Sequence, residues 1–173
     1  TKGDGPVDYT VIRACSVSKR YGLTDPVADE ETAEKALKEL GEELDIDFDR
    51  YEYKCFDHES SLHTETYSFR QYYRSMPVLG SEIAMAVNPN QTIRTITGLQ
   101  AEVCEDAIRG VSFSEKEAEG IAGDYIQKEY KKTAKKVSLT GEGPVLAVSG
   151  DRMEVVYRFR LDLKDERQSL VLH

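Results

Sequence analysis

The sequence is poor in the features that most readily announce a chemistry. It has three cysteines in 173 residues, Cys15, Cys55 and Cys104, too widely spaced for a Cys-x-x-Cys metal or redox motif. Three thiols cannot all pair within one chain, so free cysteines are the expected state. A Cys15–Cys55 bridge requires that their two strands be neighbours. No apolar run approaches the roughly 20 residues that cross a bilayer as a helix. Positive charge is in deficit: the formal net charge of −9 leaves no basic footprint for a phosphate backbone or an anionic membrane surface. There is no Gly-rich phosphate loop, no Gly-x-Ser-x-Gly turn and no cysteine–histidine pair in a recognisable context. Nucleic acid is therefore not an expected partner, and neither a cofactor nor an enzymatic activity is expected. The chain opens Thr1-Lys2-Gly3-Asp4-Gly5-Pro6, polar and without an initiator Met, which reads as a trimmed start.

What is present is organised around residues 66–81. Tyr67, Phe69, Gln71 and Tyr73 alternate with Thr66, Ser68, Arg70, Tyr72 and Arg74, the period-two pattern of a strand with one buried face. Arg74-Ser75-Met76-Pro77 breaks it, because Pro77 fixes its own φ and restricts Met76. A second strand is predicted over 81–87, a turn at Asn88-Pro89-Asn90 and a third strand over 91–97, giving an antiparallel meander. Gln71 stands on the apolar face, where an amide needs partners. Its expected role is structural, bonding backbone groups to pin the turn before Pro77.

The run Tyr67-x-Phe69-x-Gln71-x-Tyr73, then Pro77-Val78-x-Gly80 and a hairpin ending at Gly98, resembles the fungalysin/thermolysin propeptide (FTP) domain. Ser75 stands where that family usually has Gly, and Thr66 and Ser68 where its thermolysin relatives commonly have His and Arg. Further on, a helix followed by hairpins, with Tyr157-Arg158-Phe159-Arg160-Leu161 in the last long strand, resembles the PepSY domain. PepSY follows FTP in many prosegments of thermolysin-type metallopeptidases.

Around that centre, residues 7–18 read as an opening strand. Asp25 and Pro26 read as the N-cap and first position of an amphipathic helix with Ala33, Ala36, Leu37, Leu40 and Leu44 on one stripe. Glu31–Lys35 and Glu34–Lys38 have the favourable i,i+4 order, and Gly41 reads as the helix end. Tyr51-x-Tyr53-x-Cys55 alternates into another strand, and residues 99–110 read as a connector. Ser114 and Glu117 form a capping box with Phe113 as hydrophobic staple, opening a second helix whose stripe is Ala118, Ile121, Ala122, Tyr125 and Ile126. Gly120 and Gly123 within it suggest a closely packed neighbour. Lys128, Lys131, Lys132, Lys135 and Lys136 follow, a basic helix end that complements the macrodipole. Strands over 145–148 and 152–161, with a terminal one at 170–172, close the reading.

These elements predict an α+β chain: two helix-on-antiparallel-sheet units in tandem, FTP-like over 7–104 and PepSY-like over 105–173, with cystatin-like layers. The resemblance implies a secreted or cell-surface protein, its leader removed, that binds a metallopeptidase catalytic domain in cis or in trans. There it would act as inhibitor and folding assistant. A free-standing secreted or cell-surface module with a non-protease target is the alternative. The signature residues, expected to be structural, are Tyr67, Phe69, Gln71, Tyr73, Pro77, Val78, Gly80 and Gly98. Arg70, Tyr72 and Arg74 are the candidate partner surface, against the alternative of a sheet face covered by the chain itself.

Two other stretches invite functional readings. His58-Glu59-Ser60-Ser61-Leu62-His63 imitates a zinc-protease helix, but its histidines are five apart, about 140° off around a helix. A polar hairpin loop is expected at 57–61. The acidic run from Asp29 to Asp49 reads as a solvated face first and a docking patch for a basic partner second. Asn90-Gln91-Thr92 is formally a glycosylation acceptor at a hairpin tip.

Overall fold

The computed structural model describes residues 7–105, 108–109, 114–130, 137–149, 152–163 and 166–172. The chain divides into two units, Val7–Val103 and one that holds Cys104–His173.

The first unit is a five-stranded antiparallel sheet in the order β1-β5-β4-β3-β2, with β1 Tyr9–Cys15, β2 Glu52–Ser61, β3 Thr64–Tyr73, β4 Met76–Val87 and β5 Ile93–Ala101. The expected meander is therefore longer, four consecutive strands plus β1 on the far edge. The alternation in β3 holds residue by residue: Tyr67, Phe69, Gln71 and Tyr73 are buried and the residues between them are not. Phe69 pairs with Ile83 and Tyr67 with Met85, while Met85 faces Ile96 on β5. These buried side chains make one apolar face. Helix α1, Val17–Tyr21, lies against β5, and α2, Glu30–Glu39, lies against β2 with Ala33, Ala36 and Leu37 buried.

Helix α2 starts later than Asp25 because the segment before it is already paired: the Val27 N–H donates to the Gln91 carbonyl across the β4–β5 turn at 3.0 Å. Asp29 is the N-cap. Its carboxylate accepts from the Thr32 N–H at 2.8 Å, and the Thr32 hydroxyl accepts from the Asp29 N–H at 3.0 Å. Asp25 instead pairs with Lys35 at 2.9 Å, and Lys35 also reaches Glu39 rather than Glu31. Glu34 is drawn to the sheet, where its carboxylate accepts from the Cys55 N–H at 2.8 Å. The helix closes at Leu40, and Gly41 serves a steric need instead: a Cβ there would stand 2.8 Å from the Phe48 ring.

Residues 57–61 are not a loop. Strand β2 runs through them and stays paired to Ser61↔Thr64, so the hairpin tip is Leu62–His63. Cross-strand contacts among polar side chains hold this end: the His58 ring stacks on Tyr67, with centroids 4.4 Å apart, and Ser60 donates to Glu65 at 2.7 Å.

In the second unit, β6 Ile108–Arg109 runs parallel to β8 Arg152–Leu163, while β7 Val137–Ser149 and β9 Glu166–Leu172 flank β8 antiparallel. Helix α3, Glu115–Tyr130, opens with the expected capping box: the Glu117 carboxylate accepts from the Ser114 N–H at 2.7 Å. Its buried stripe is narrower than expected, Ala118, Ala122 and Ile126, with Ile121 and Tyr125 about half exposed. Ala118 and Ala122 pack on Phe159, so alanines rather than large residues make the contact with β8. Gly120 and Gly123 face open space, contrary to the expectation of a close neighbour. Phe113 and Lys131, Lys132, Lys135 and Lys136 lie outside the described residues. On β8 the buried residues are Met153, Val156 and Phe159, a spacing of three and not the expected alternation.

The expected fold class is thereby corrected. The described chain is mostly sheet, nine strands against three helices, one of them only five residues long, and the pairing is mixed through β6 and β8. It is not an α+β tandem of two helix-on-antiparallel-sheet units with cystatin-like layers. Residues 57–61, read as a loop, 76–77, read as a break, and 99–101, read as connector, are strand, and so are 78–80 and 137–144, to which no strand was assigned. At 57–61 the polar side chains of His58 and Ser60 bond across to Glu65 on β3 instead of turning the chain.

Candidate functional site

Most signature residues build one irregularity in the sheet. Pairing between β3 and β4 passes from Arg70↔Glu82 to Tyr72↔Pro77, so residues 78–81 bulge out of the ladder. Gly80, at φ 79°, makes the bend, and Val78 is buried beneath it. If the register Ile83↔Gly98 continued, Gly80 would face Ala101 on β5. The Gln71 side chain takes that place. Its Oε1 accepts from the Ala101 N–H at 2.9 Å and its Nε2 donates to the Ala101 carbonyl at 2.9 Å. The Ser81 hydroxyl donates to Gln71 Oε1 and also lies 2.8 Å from the Leu99 carbonyl. A primary amide carries the same donor and acceptor as a peptide group, so it can replace one rung of an antiparallel ladder. Gln71 thus bonds backbone, but at the end of β5 rather than at the turn before Pro77. Gly98 sits on β5 so near the β4 backbone that a Cβ there would overlap Glu82 and Ile83.

The turn itself is Arg74–Ser75, with φ 47° and 66°. Both residues occupy the left-handed region, as a two-residue hairpin turn of the primed type requires. Ser75 therefore holds a backbone conformation that favours glycine, the residue the FTP pattern has there.

A second buried amide was not anticipated. Gln100 Oε1 accepts from the Asp47 N–H at 2.9 Å and from the Tyr53 hydroxyl at 3.0 Å. Nearby, the Tyr51 hydroxyl accepts from the Val103 N–H at 3.0 Å, and Arg50 donates to the Val103 carbonyl at 2.6 Å. Read as a connector, Gln100 gave no sequence signal beyond its position three residues after the expected strand. Burial, and secondarily the neighbouring Tyr51, pushes the Tyr53 phenol well above its ordinary range. The sign follows: above pH ~10 an unfolded chain releases phenolic protons that the folded chain keeps, so stability falls as pH rises. Tyr53→Phe should lose less stability between neutral and alkaline pH than the parent, measured by urea midpoints; equal losses would rule out this origin.

The candidate partner surface is engaged with the chain's own side chains. Arg70 pairs with Glu82 at 3.0 Å and lies 4.0 Å over the Phe56 ring. Tyr72 carries Lys54 at 5.0 Å over its ring, and Arg74 lies 5.2 Å from the Tyr73 ring centroid. Arg70 and Tyr72 share the outer face of β3; Arg74 belongs to the turn.

Cys15, Cys55 and Cys104 are free, and the strands of Cys15 and Cys55 are the two opposite edges of the first unit's sheet, so no bridge joins them. Burial, more than the nearby Glu30, pushes the Cys55 thiol up. No helix among the described residues is long and apolar enough to cross a membrane, and none of them gather as three or more His, Cys, Asp or Glu around a point where a metal could bind.

A concavity with convergent polar groups lies in the first unit. It is a groove of about 510 Å³ between the β2–β3 tip, the β4–β5 turn and the Val27–Ala28 segment. Glu65 stands in it, accepting from Ser60 at 2.7 Å and contacting His58 Nε2 at 2.6 Å. The Ser60 bond, then the His58 bond, holds the Glu65 carboxyl below the usual range. Ser60 donates to the carboxylate and not to the imidazole, so no serine–histidine nucleophile pair is formed. In the adjoining turn the Thr92 hydroxyl donates to Asn90 Oδ1 at 2.6 Å, and Asn90 is exposed.

No family model matches this chain, and no curated protein matches it.

Proposed function

We propose that this chain is a non-catalytic prosegment-type module that binds a thermolysin-like zinc metallopeptidase, keeping it inactive and assisting its folding. What supports the reading is the use to which the FTP-like residues are put. Tyr67, Phe69, Gln71 and Tyr73, with Val78 and Gly80, all serve one bulged sheet and supply no reacting group. A pattern spent on shape leaves the surface to do the work, and that work is contact. The partner is the catalytic domain, in cis or in trans.

A second reading, a free-standing secreted or cell-surface module with a non-protease target, is favoured by Thr66, Ser68 and Ser75, where the pattern departs from thermolysin prosegments. Both are separated by adding the chain at micromolar excess to several thermolysin-like peptidases and following peptide hydrolysis. Slowing of at least one enzyme is expected. No slowing of any would abandon the peptidase as target and leave the second reading.

A further inference from the structure

The groove beside Glu65 has a definite chemical preference, which does not depend on the partner being a peptidase. Among its lining residues Glu65 is the one carboxylate, and no lysine or arginine lines it. Ser60 and His58 occupy one oxygen each, and a carboxylate accepts about four hydrogen bonds, so acceptor capacity remains. Asn88 adds to it: its amide nitrogen spends one of its two N–H donors on Thr92 Oγ1 at 3.0 Å, and its carbonyl oxygen stands beside Glu65 as a further acceptor of the groove. The Ser61 hydroxyl is spent on the Thr64 carbonyl at 2.9 Å. The site is thus rich in acceptors and holds a fixed negative charge.

Its walls suit an aliphatic stem. Val27 and Pro89 line it, and Leu62, 93% exposed at the hairpin tip, has no burial of its own. The His58 ring, parallel to Tyr67 within 8° and held by Glu65, is a pre-set flat surface on which a planar cation can stack. Donor-only chemistry, positive charge, planarity and an apolar stem together describe arginine rather than lysine. The net charge of −9 draws such a group towards the chain from a distance.

We propose that this groove is a docking site for an arginine side chain on an exposed loop of a partner protein. The guanidinium pairs with Glu65 and the Asn88 carbonyl, and its methylenes lie along Leu62 and Pro89.

The test uses the intact chain, labelled with nitrogen-15, and the blocked peptide acetyl-Gly-Arg-Gly-amide. Saturable amide shifts are expected at Thr64, Glu65, Asn88 and Gln91, with millimolar affinity. The citrulline analogue, which keeps the shape and loses the charge, should bind about tenfold more weakly or worse. Glu65→Gln should abolish the shifts, while Glu59→Gln, an exposed carboxylate on β2 outside the groove, should leave them unchanged. Equal shifts with citrulline, undiminished binding by Glu65→Gln, or no shifts at ~20 mM peptide would overturn the proposal. If Glu65→Gln fails to fold, the citrulline comparison on the unaltered chain decides. None of these outcomes bears on peptidase inhibition, so the two readings fail separately.

Discussion

Gly98→Ala is expected to destabilise the first unit by about 3 kcal/mol or more, read as a lower urea midpoint of the intact chain. Gly98 lies on β5 opposite Ile83 of β4 and Ile12 of β1. A Cβ there would stand 2.3 Å from the Glu82 carbonyl oxygen and 2.6 Å from the Ile83 Cα. Both are backbone atoms of a paired strand, so no rotamer change relieves the overlap. Either the β4–β5 ladder opens or β4 shifts, carrying the buried Ile83 and Met85 with it. Gly120→Ala is the internal control. That glycine is helical and faces open space, so the substitution should stabilise by about 1 kcal/mol through helix propensity alone. A Gly98→Ala protein as stable as the parent would show that β4 and β5 do not approach as described.

Gln71→Met comes next in size. The side chain is nearly isosteric, so packing around Phe69 and Tyr73 is preserved, and what is lost is hydrogen bonding to Ala101. The Ala101 N–H keeps the Ser81 hydroxyl at 3.1 Å, whereas its carbonyl loses the Gln71 donor. One buried carbonyl is left unsatisfied, so a loss of about 1–3 kcal/mol is expected. Gln71→Glu separates this cause from volume. A carboxylate there faces the Ala101 carbonyl without a proton to donate, and burial raises its folded pKa above the unfolded ~4.3. The protonated acid can donate as the amide did. The variant's deficit should therefore be smallest near pH 4 and grow as pH rises to 7, while that of Gln71→Met stays flat. Parallel pH profiles for the two would remove the amide from its assigned role.

The strand from Thr64 to Tyr73 was legible because period-two alternation and burial are the same fact seen twice. The capping box of α3 was legible because its two partners are three residues apart in the chain. Legibility failed where the deciding partner is remote in sequence. Asp25 and Asp29 are both acceptable caps by local rules; the bond from Val27 to Gln91, made only once β4 and β5 turn, chooses between them. Polar composition made 57–61 look like a loop, although a half-exposed hairpin can remain paired with polar residues on both faces. Gln71 could be recognised as needing partners, but not that Ala101 was the partner, since that depends on a bulge whose residues are ordinary apart from Gly80. The groove was invisible for the same reason: Glu65, Asn88 and Val27 meet only in the folded sheet. The expected fold class failed by addition, as each short segment misread as turn or connector moved the balance towards sheet.

Rungs of a β-ladder ordinarily lie beyond the reach of coding changes, because every amino acid except proline brings the same main-chain atoms. Beside the bulge in β4, this chain entrusts one rung to a side chain. A single codon can therefore delete it, weaken it or make it answer to acidity, which gives an otherwise uniform sheet one adjustable joint.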